Sequence, residues 1–180
     1  MRYSYNNYPK TIYHMKNHNL KNLKLICSLI VLLSFNSCSK DTVLEDDTTA
    51  LQSMAIATNI LDILNSHRAN IGKNALLIDG LANDLAVEHT LYMIEKNTIS
   101  HDNFNARSER LFAEAQATRT GENVAFGQPN ATAVMEAWLG SQGHRNIIEG
   151  DFTHIGIAAL KNPNGTYFYT QIFLKKKNGT

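Results

Sequence analysis

His154-Ile155-Gly156-Ile157-Ala158-Ala159-Leu160 and Thr166-Tyr167-Phe168-Tyr169-Thr170-Gln171-Ile172-Phe173-Leu174 are two short apolar runs joined through Asn162-Pro163-Asn164-Gly165. Ile, Tyr and Phe are frequent in both, and the residues between them are turn formers, so the pair reads as a β-hairpin. Upstream, Glu122–Phe126 lies between Gly121 and Gly127 and reads as a further strand. Ahead of it the apolar period changes to three or four. Met54, Ala57, Leu61 and Leu64 recur at helical spacing with Ile60 beside them, from Ala50 to a stop at Gly72, with Thr48 or Thr49 as N-cap. A second helix is expected from the cap Asp79 to about Asn97, with Leu81, Leu85, Ala86, His89 and Met93 on one face. Shorter ones are expected near Ala106–Ala115 and Ala131–Leu139. Helices first, then strands with helices between them, imply an α/β fold in which a sheet lies between helical layers. There is no internal repeat and no low-complexity segment.

The N-terminus carries a different pattern. From Met1 to Phe35 the only charged residues are Arg2, Lys10, Lys16, Lys21 and Lys24, followed by the apolar run Leu25–Leu33. A basic region before a short apolar run is the arrangement of a secretory signal peptide. The run is shorter than the roughly 20 apolar residues a membrane-spanning helix needs. Phe35-Asn36-Ser37-Cys38 resembles a lipobox, with Phe35 where leucine is usual. Residues 1–37 are therefore expected to be a signal peptide, Cys38 the lipidation site, 38–49 an acidic flexible tether, and 50–180 one domain. Lys40 followed by acidic residues also resembles a surface-export signal, beside the simpler reading of a solvated linker. A start at Met15 would give a more ordinary signal length.

The chain has 17 Lys and Arg against 16 Asp and Glu. Removing residues 1–37 takes five bases and no acid, leaving 12 bases against 16 acids, a net charge of −4. That balance argues against a nucleic-acid partner, which calls for a basic patch. Cys27 leaves with the signal and Cys38 is acylated, so no thiol remains for a disulfide. The domain must be held by its core, for which about 130 residues suffice.

Four clusters carry polar chemistry. They are Leu64-Asn65-Ser66-His67-Arg68, Ser100-His101-Asp102-Asn103-Phe104 with Arg107 behind it, Gly121-Glu122-Asn123-Val124-Ala125-Phe126-Gly127, and Trp138-Leu139-Gly140-Ser141-Gln142-Gly143-His144-Arg145-Asn146. In this order and spacing, from about Thr58 to Phe173, the chain resembles the CAP superfamily, the SCP-like domain of cysteine-rich secretory proteins, venom antigens and pathogenesis-related proteins, in its bacterial branch. The resemblance implies a three-layer α-β-α sandwich with a central, mainly antiparallel sheet. It also implies a cleft in which His101, Glu122 and His144 match the family's first histidine, first acid and second histidine. The second acid is replaced here by Ser141.

Two imidazoles and a carboxylate are suitable ligands for zinc or another divalent metal, with a fourth position open. Without a metal, Glu122 beside a histidine can form an acid–base pair. Ser141 with His144 is a weaker nucleophile candidate, since no Gly-x-Ser-x-Gly elbow is present. His89 on an apolar helix face reads as a hydrogen-bonded core histidine. Trp138 reads as core and as a wall of the cleft, Asn65 and Arg68 as loop ties, and His67 and His154 as surface or boundary residues.

The leading expectation is an envelope-anchored binding module. The membrane would be its partner through Cys38, and a lipid, sterol or other small ligand would occupy the cleft. Its place would be the outer membrane of a Gram-negative cell, including the outer surface. The alternatives are a metal-dependent extracytoplasmic hydrolase or peptidase, and an adhesive protein with a vestigial cleft.

Overall fold

The computed structural model describes residues 41–177, with side chains from residue 48 onward. Residues 1–37, read above as a signal peptide, and Cys38 lie outside the described residues. In chain order the elements are α1 (Asp41–Asn70), β1 (Leu77–Ile78), α2 (Gly80–Lys96), α3 (Phe104–Glu114), β2 (Ala117–Phe126), α4 (Ala131–Gly140), α5 (Gln142–Ile148), β3 (His154–Lys161) and β4 (Tyr167–Lys176). The sheet order is β1-β3-β4-β2, antiparallel throughout except for the short parallel pairing of β1 with β3. The expected α/β architecture with a mainly antiparallel sheet is present.

Strict alternation along the strands builds the two faces. Tyr167, Tyr169 and Phe173 of β4, with Ile155, Ile157 and Ala159 of β3, pack on Ile60 and Leu64 of α1, Val134, Met135 and Trp138 of α4, and Ile148 of α5. The residues between them, Ala158 of β3 with Ile172 and Leu174 of β4, face Ala82, Leu85 and Ala86 of α2 and Leu111 of α3. Val124 and Phe168 join Met93 on that same side. Each large side chain buried here contributes about 1.5–3 kcal/mol.

The sharpest packing constraint is at Gly156. A Cβ there would lie 2.1 Å from the Ala82 carbonyl carbon, so the first turn of α2 rests directly on the β3 backbone. Asp79 starts that turn as an extended N-cap and accepts the Ala82 N–H at 2.8 Å. Its other carboxylate oxygen meets Lys176 Nζ at 2.6 Å, tying the helix start to the end of β4.

The structure differs from the expected elements in three places. α1 begins at Asp41, inside the segment 38–49 read as a tether. The turns around Leu51 and Met54 are nonetheless exposed, so this part of α1 still extends beyond the core. β1 and α5 are additions to the elements expected from the sequence. Two exposed strand residues show no alternation, and the Ser-Gln-Gly opening of α5 hides a seven-residue helix.

Candidate functional site

Glu122 is placed by β2, which among the described residues is the edge of the sheet and pairs only with β4. Its side chain is 1% exposed, so its charge must be compensated within the protein. Compensation comes from Arg107 of α3. Arg107 Nε donates to Oε2 and Nη2 to Oε1, both at 2.9 Å, a bidentate pair. His101 Nδ1 donates to Oε1 at 2.8 Å. The imidazole of His101 is half-exposed, and its Nε2 points away from the carboxylate that holds the ring.

The loop that carries His101 runs between α2 and α3 and is fastened from below. His89 of α2, buried and 3.8 Å from Glu122, donates from Nε2 to the Ser100 carbonyl at 2.8 Å. Arg107 Nη1 donates to the Asp102 carbonyl at 2.7 Å. Tyr92 donates its hydroxyl to Asp102 Oδ2 at 2.8 Å, and its ring stacks on His89. At the α3 end, Asn103 adopts a left-handed conformation at φ 60°, which asparagine tolerates better than most residues. Burial lowers the pKa of His89 more than the nearby Glu122 and the Ser100 carbonyl raise it. Nε2 carries the proton that it donates to the Ser100 carbonyl.

The opposite side of β2 carries the second histidine. Asn123 of β2 donates from Nδ2 to Gln171 Oε1 at 3.2 Å and to the His144 carbonyl at 3.3 Å, which sets α5 against the strand. Trp138 Nε1 donates to the outward carbonyl of Val124 at 3.1 Å, so α4 closes this edge. Gly121 lies under α5, where a Cβ would come within 3.0 Å of Phe152 and 3.1 Å of Ile147. Burial lowers the pKa of His144, and the charge of His101 lowers it further. Among the described residues the Nδ1 of His144 is buried without a hydrogen-bond partner, as is Asn123 Oδ1.

The expected residues His101, Glu122 and His144 thus gather around β2, but not as a ligand set. Both oxygens of Glu122 are committed to Arg107, and one of them also to His101. Among the described residues no group of three His, Cys, Asp or Glu side chains is arranged to hold a metal ion. A divalent metal held by all three does not fit this donor arrangement. Ser141 links α4 to α5, donating its backbone N–H to the Trp138 carbonyl, and its side chain makes no capping bond. Among the described residues no hydrogen bond joins it to His144. His89 is the hydrogen-bonded core histidine expected, yet it also adjoins the site. Arg107 has no role in the sequence reading. Its sign in the sequence is indirect: a carboxylate on a strand of small and apolar neighbours needs a cation, and Arg107 is the base nearest in its cluster.

The remaining polar clusters tie loops. Asn65 exchanges two bonds with the backbone of Leu76, and buried Arg68 donates to the carbonyls of Asn74, Ile148 and Gly150 at 2.7–3.0 Å. Trp138 is core, 1% exposed. His67 bonds Glu149 at the boundary, as 25% exposure suits.

A model of the cysteine-rich secretory protein (CAP) family matches residues 61–173. The chain belongs to the CAP family. A membrane protein of Bacillus subtilis, YlbC, is 31% identical over 121 residues, covering 65% of this chain and 34% of that relative. This chain therefore spans about a third of that relative's length. Among solved structures, an extracellular SCP-domain protein of Bacillus anthracis is 28% identical with a TM-score of 0.64, over 72% of this chain and 43% of that one. An outer surface protein of Borrelia burgdorferi is 25% identical with a TM-score of 0.59, over 66% of this chain and 90% of that one. In this CAP domain the residues matched by motif are those the fold brings to the edge strand.

Proposed function

We propose that this CAP domain is the exported, lipid-anchored binding module of a cell envelope, and that its cleft takes a small ligand through His101 and His144. The observation that carries the reading is the neutralised carboxylate. With Arg107 bidentate on Glu122 and His101 Nδ1 on the same group, Glu122 orients an imidazole instead of serving as a free base or ligand. What the cleft would offer a ligand is the half-exposed His101 imidazole, oriented by Glu122, with His144 carried on the other side of β2. That suits hydrogen bonding to a polar group better than activating water. The similarity to an extracellular protein, an outer surface protein and a membrane protein supports envelope placement. Among the described residues no helix is long and apolar enough to cross a membrane. The proposed attachment is through acylated Cys38, which rests on the lipobox-like Phe35-Asn36-Ser37-Cys38. The envelope is that of a Gram-negative cell, at its outer membrane.

Native mass spectrometry of the protein extracted from its own envelope tests this. The expected mass is that of residues 38–180 with acyl chains, plus a small organic ligand that is lost in the His101→Ala/His144→Ala variant. An unprocessed N-terminus would overturn the anchor. A bare domain, or stoichiometric metal in place of an organic ligand, would overturn the binding role.

A further inference from the structure

The opposite edge of the sheet is incomplete, far from β2 in the strand order. β1 pairs with β3 only over His154–Ile155. Leu77 N–H donates to the Thr153 carbonyl at 3.1 Å and Asp79 N–H to the Ile155 carbonyl at 3.0 Å, so the odd-numbered residues of β3 turn their backbone groups to this edge. Beyond Ile155 the chain leaves for α2. Ile157 N–H is met by Asn83 Oδ1 at 3.3 Å. The carbonyl of Ile157 and both backbone groups of Ala159 then face a side where no described strand runs. Ala159 is 1% exposed, and buried backbone groups without partners are rare because each forfeits a hydrogen bond.

These groups border a groove of about 580 Å³ between α1 and α2, lined by Met54, Ala57 and Leu61 of α1, Ile78 of β1, Val87 of α2 and Ala159 of β3. Edge strands are ordinarily blunted by charge, proline or a bulge. Between Ile157 and Leu160 this edge has none of the three. The first charge along it is Lys161, whose Nζ bonds Gln52 of α1 at 3.4 Å and so stands at one end of the groove.

We propose that this groove receives an extended apolar peptide, which adds to β3 as a strand and prolongs the pairing that β1 begins. The backbone row selects a peptide over an alkyl chain, because an alkyl chain would fill the volume yet offer Ala159 no hydrogen bond. The open stretch Ile157–Leu160 accepts about four residues, roughly 13 Å of strand. Lys161 selects an acidic residue at that end. The binding mode is β-strand addition, in which backbone bonds supply affinity and the apolar walls supply selectivity.

The test uses the full chain in detergent and the blocked peptide acetyl-Asp-Val-Thr-Val-Ile-Asp amide, acidic at both ends so that either strand direction is served. Hydrogen exchange followed by mass spectrometry reads the segment Ile157–Lys161. Millimolar peptide is expected to slow exchange there about tenfold, the equivalent of one added backbone bond. Methylating alternate peptide nitrogens should abolish the slowing in one of the two registers only. The Thr58→Trp variant, altered at an exposed groove position of α1, should lose it. Unchanged exchange would overturn the proposal. So would equal protection by dodecanoate or by both methylated peptides, which would make the groove an alkyl site.

Discussion

Replacing Arg107 with methionine keeps most of the side-chain volume in α3 and removes the guanidinium that meets Glu122. The carboxylate is 1% exposed, so the variant must bury an uncompensated charge or protonate it. Breaking a buried pair from one side costs about 3–5 kcal/mol. The lost bond from Arg107 Nη1 to the Asp102 carbonyl adds about 1 kcal/mol. For a domain of this size each kcal/mol moves Tm by about 3–4 °C, so the expected drop is about 12–24 °C. The assay is urea and thermal unfolding followed by circular dichroism, with the Glu122→Leu and double variants completing the cycle. The double variant should recover to within about 2 kcal/mol of the parent, since removing both charges also removes the desolvation penalty. A cost below about 1 kcal/mol for Arg107→Met, or strict additivity of the two changes, would refute the reasoning that Arg107 neutralises Glu122.

Gly156→Ala should lower stability by several kcal/mol, on the order of 3 or more, because the new Cβ collides with the α2 backbone instead of a movable side chain; thermal unfolding reads it. Arg68→Leu should cost about 3 kcal/mol or more by leaving the carbonyls of Asn74, Ile148 and Gly150 without donors, measured by the urea midpoint. Acid should destabilise the fold through His89, His144 and His154, whose pKa values burial pushes below the usual 6.5. The unfolded chain binds more protons there, so stability is full above about pH 6.5 and is lost as pH falls through the folded values. His89→Gln should flatten the fall in urea midpoint between about pH 7 and 5, and an unchanged slope would count against a neutral buried His89.

The hairpin of β3 and β4 and the helix beginning at Asp79 were legible because both rest on local rules, alternation with turn residues and a capping side chain. The start of α1 was not, since acidic residues at a helix terminus share the composition of a linker and differ only in being continuous with the helical turns after Ala50. β1 owes its existence to a tertiary partner, two residues of β3, and leaves no periodicity to find. At the site, motifs led to His101, Glu122 and His144, but spacing along a chain does not say which atoms face which. The commitment of Glu122 to Arg107 depends on α3 packing against β2, a contact between segments 15 residues apart in number and on different elements. The backbone groups of Ala159 became a feature only once the short reach of β1 was known.

Nitrogen-15 correlation spectra of histidine-labelled protein test the central claim most directly, because they report which ring nitrogen of His101 carries a proton. The account predicts a hydrogen-bonded proton on Nδ1 that disappears in Glu122→Ala, survives chelators, and is unmoved by an equivalent of zinc. An unprotonated Nδ1, or a His101 signal that shifts together with Glu122-dependent zinc binding, would contradict it.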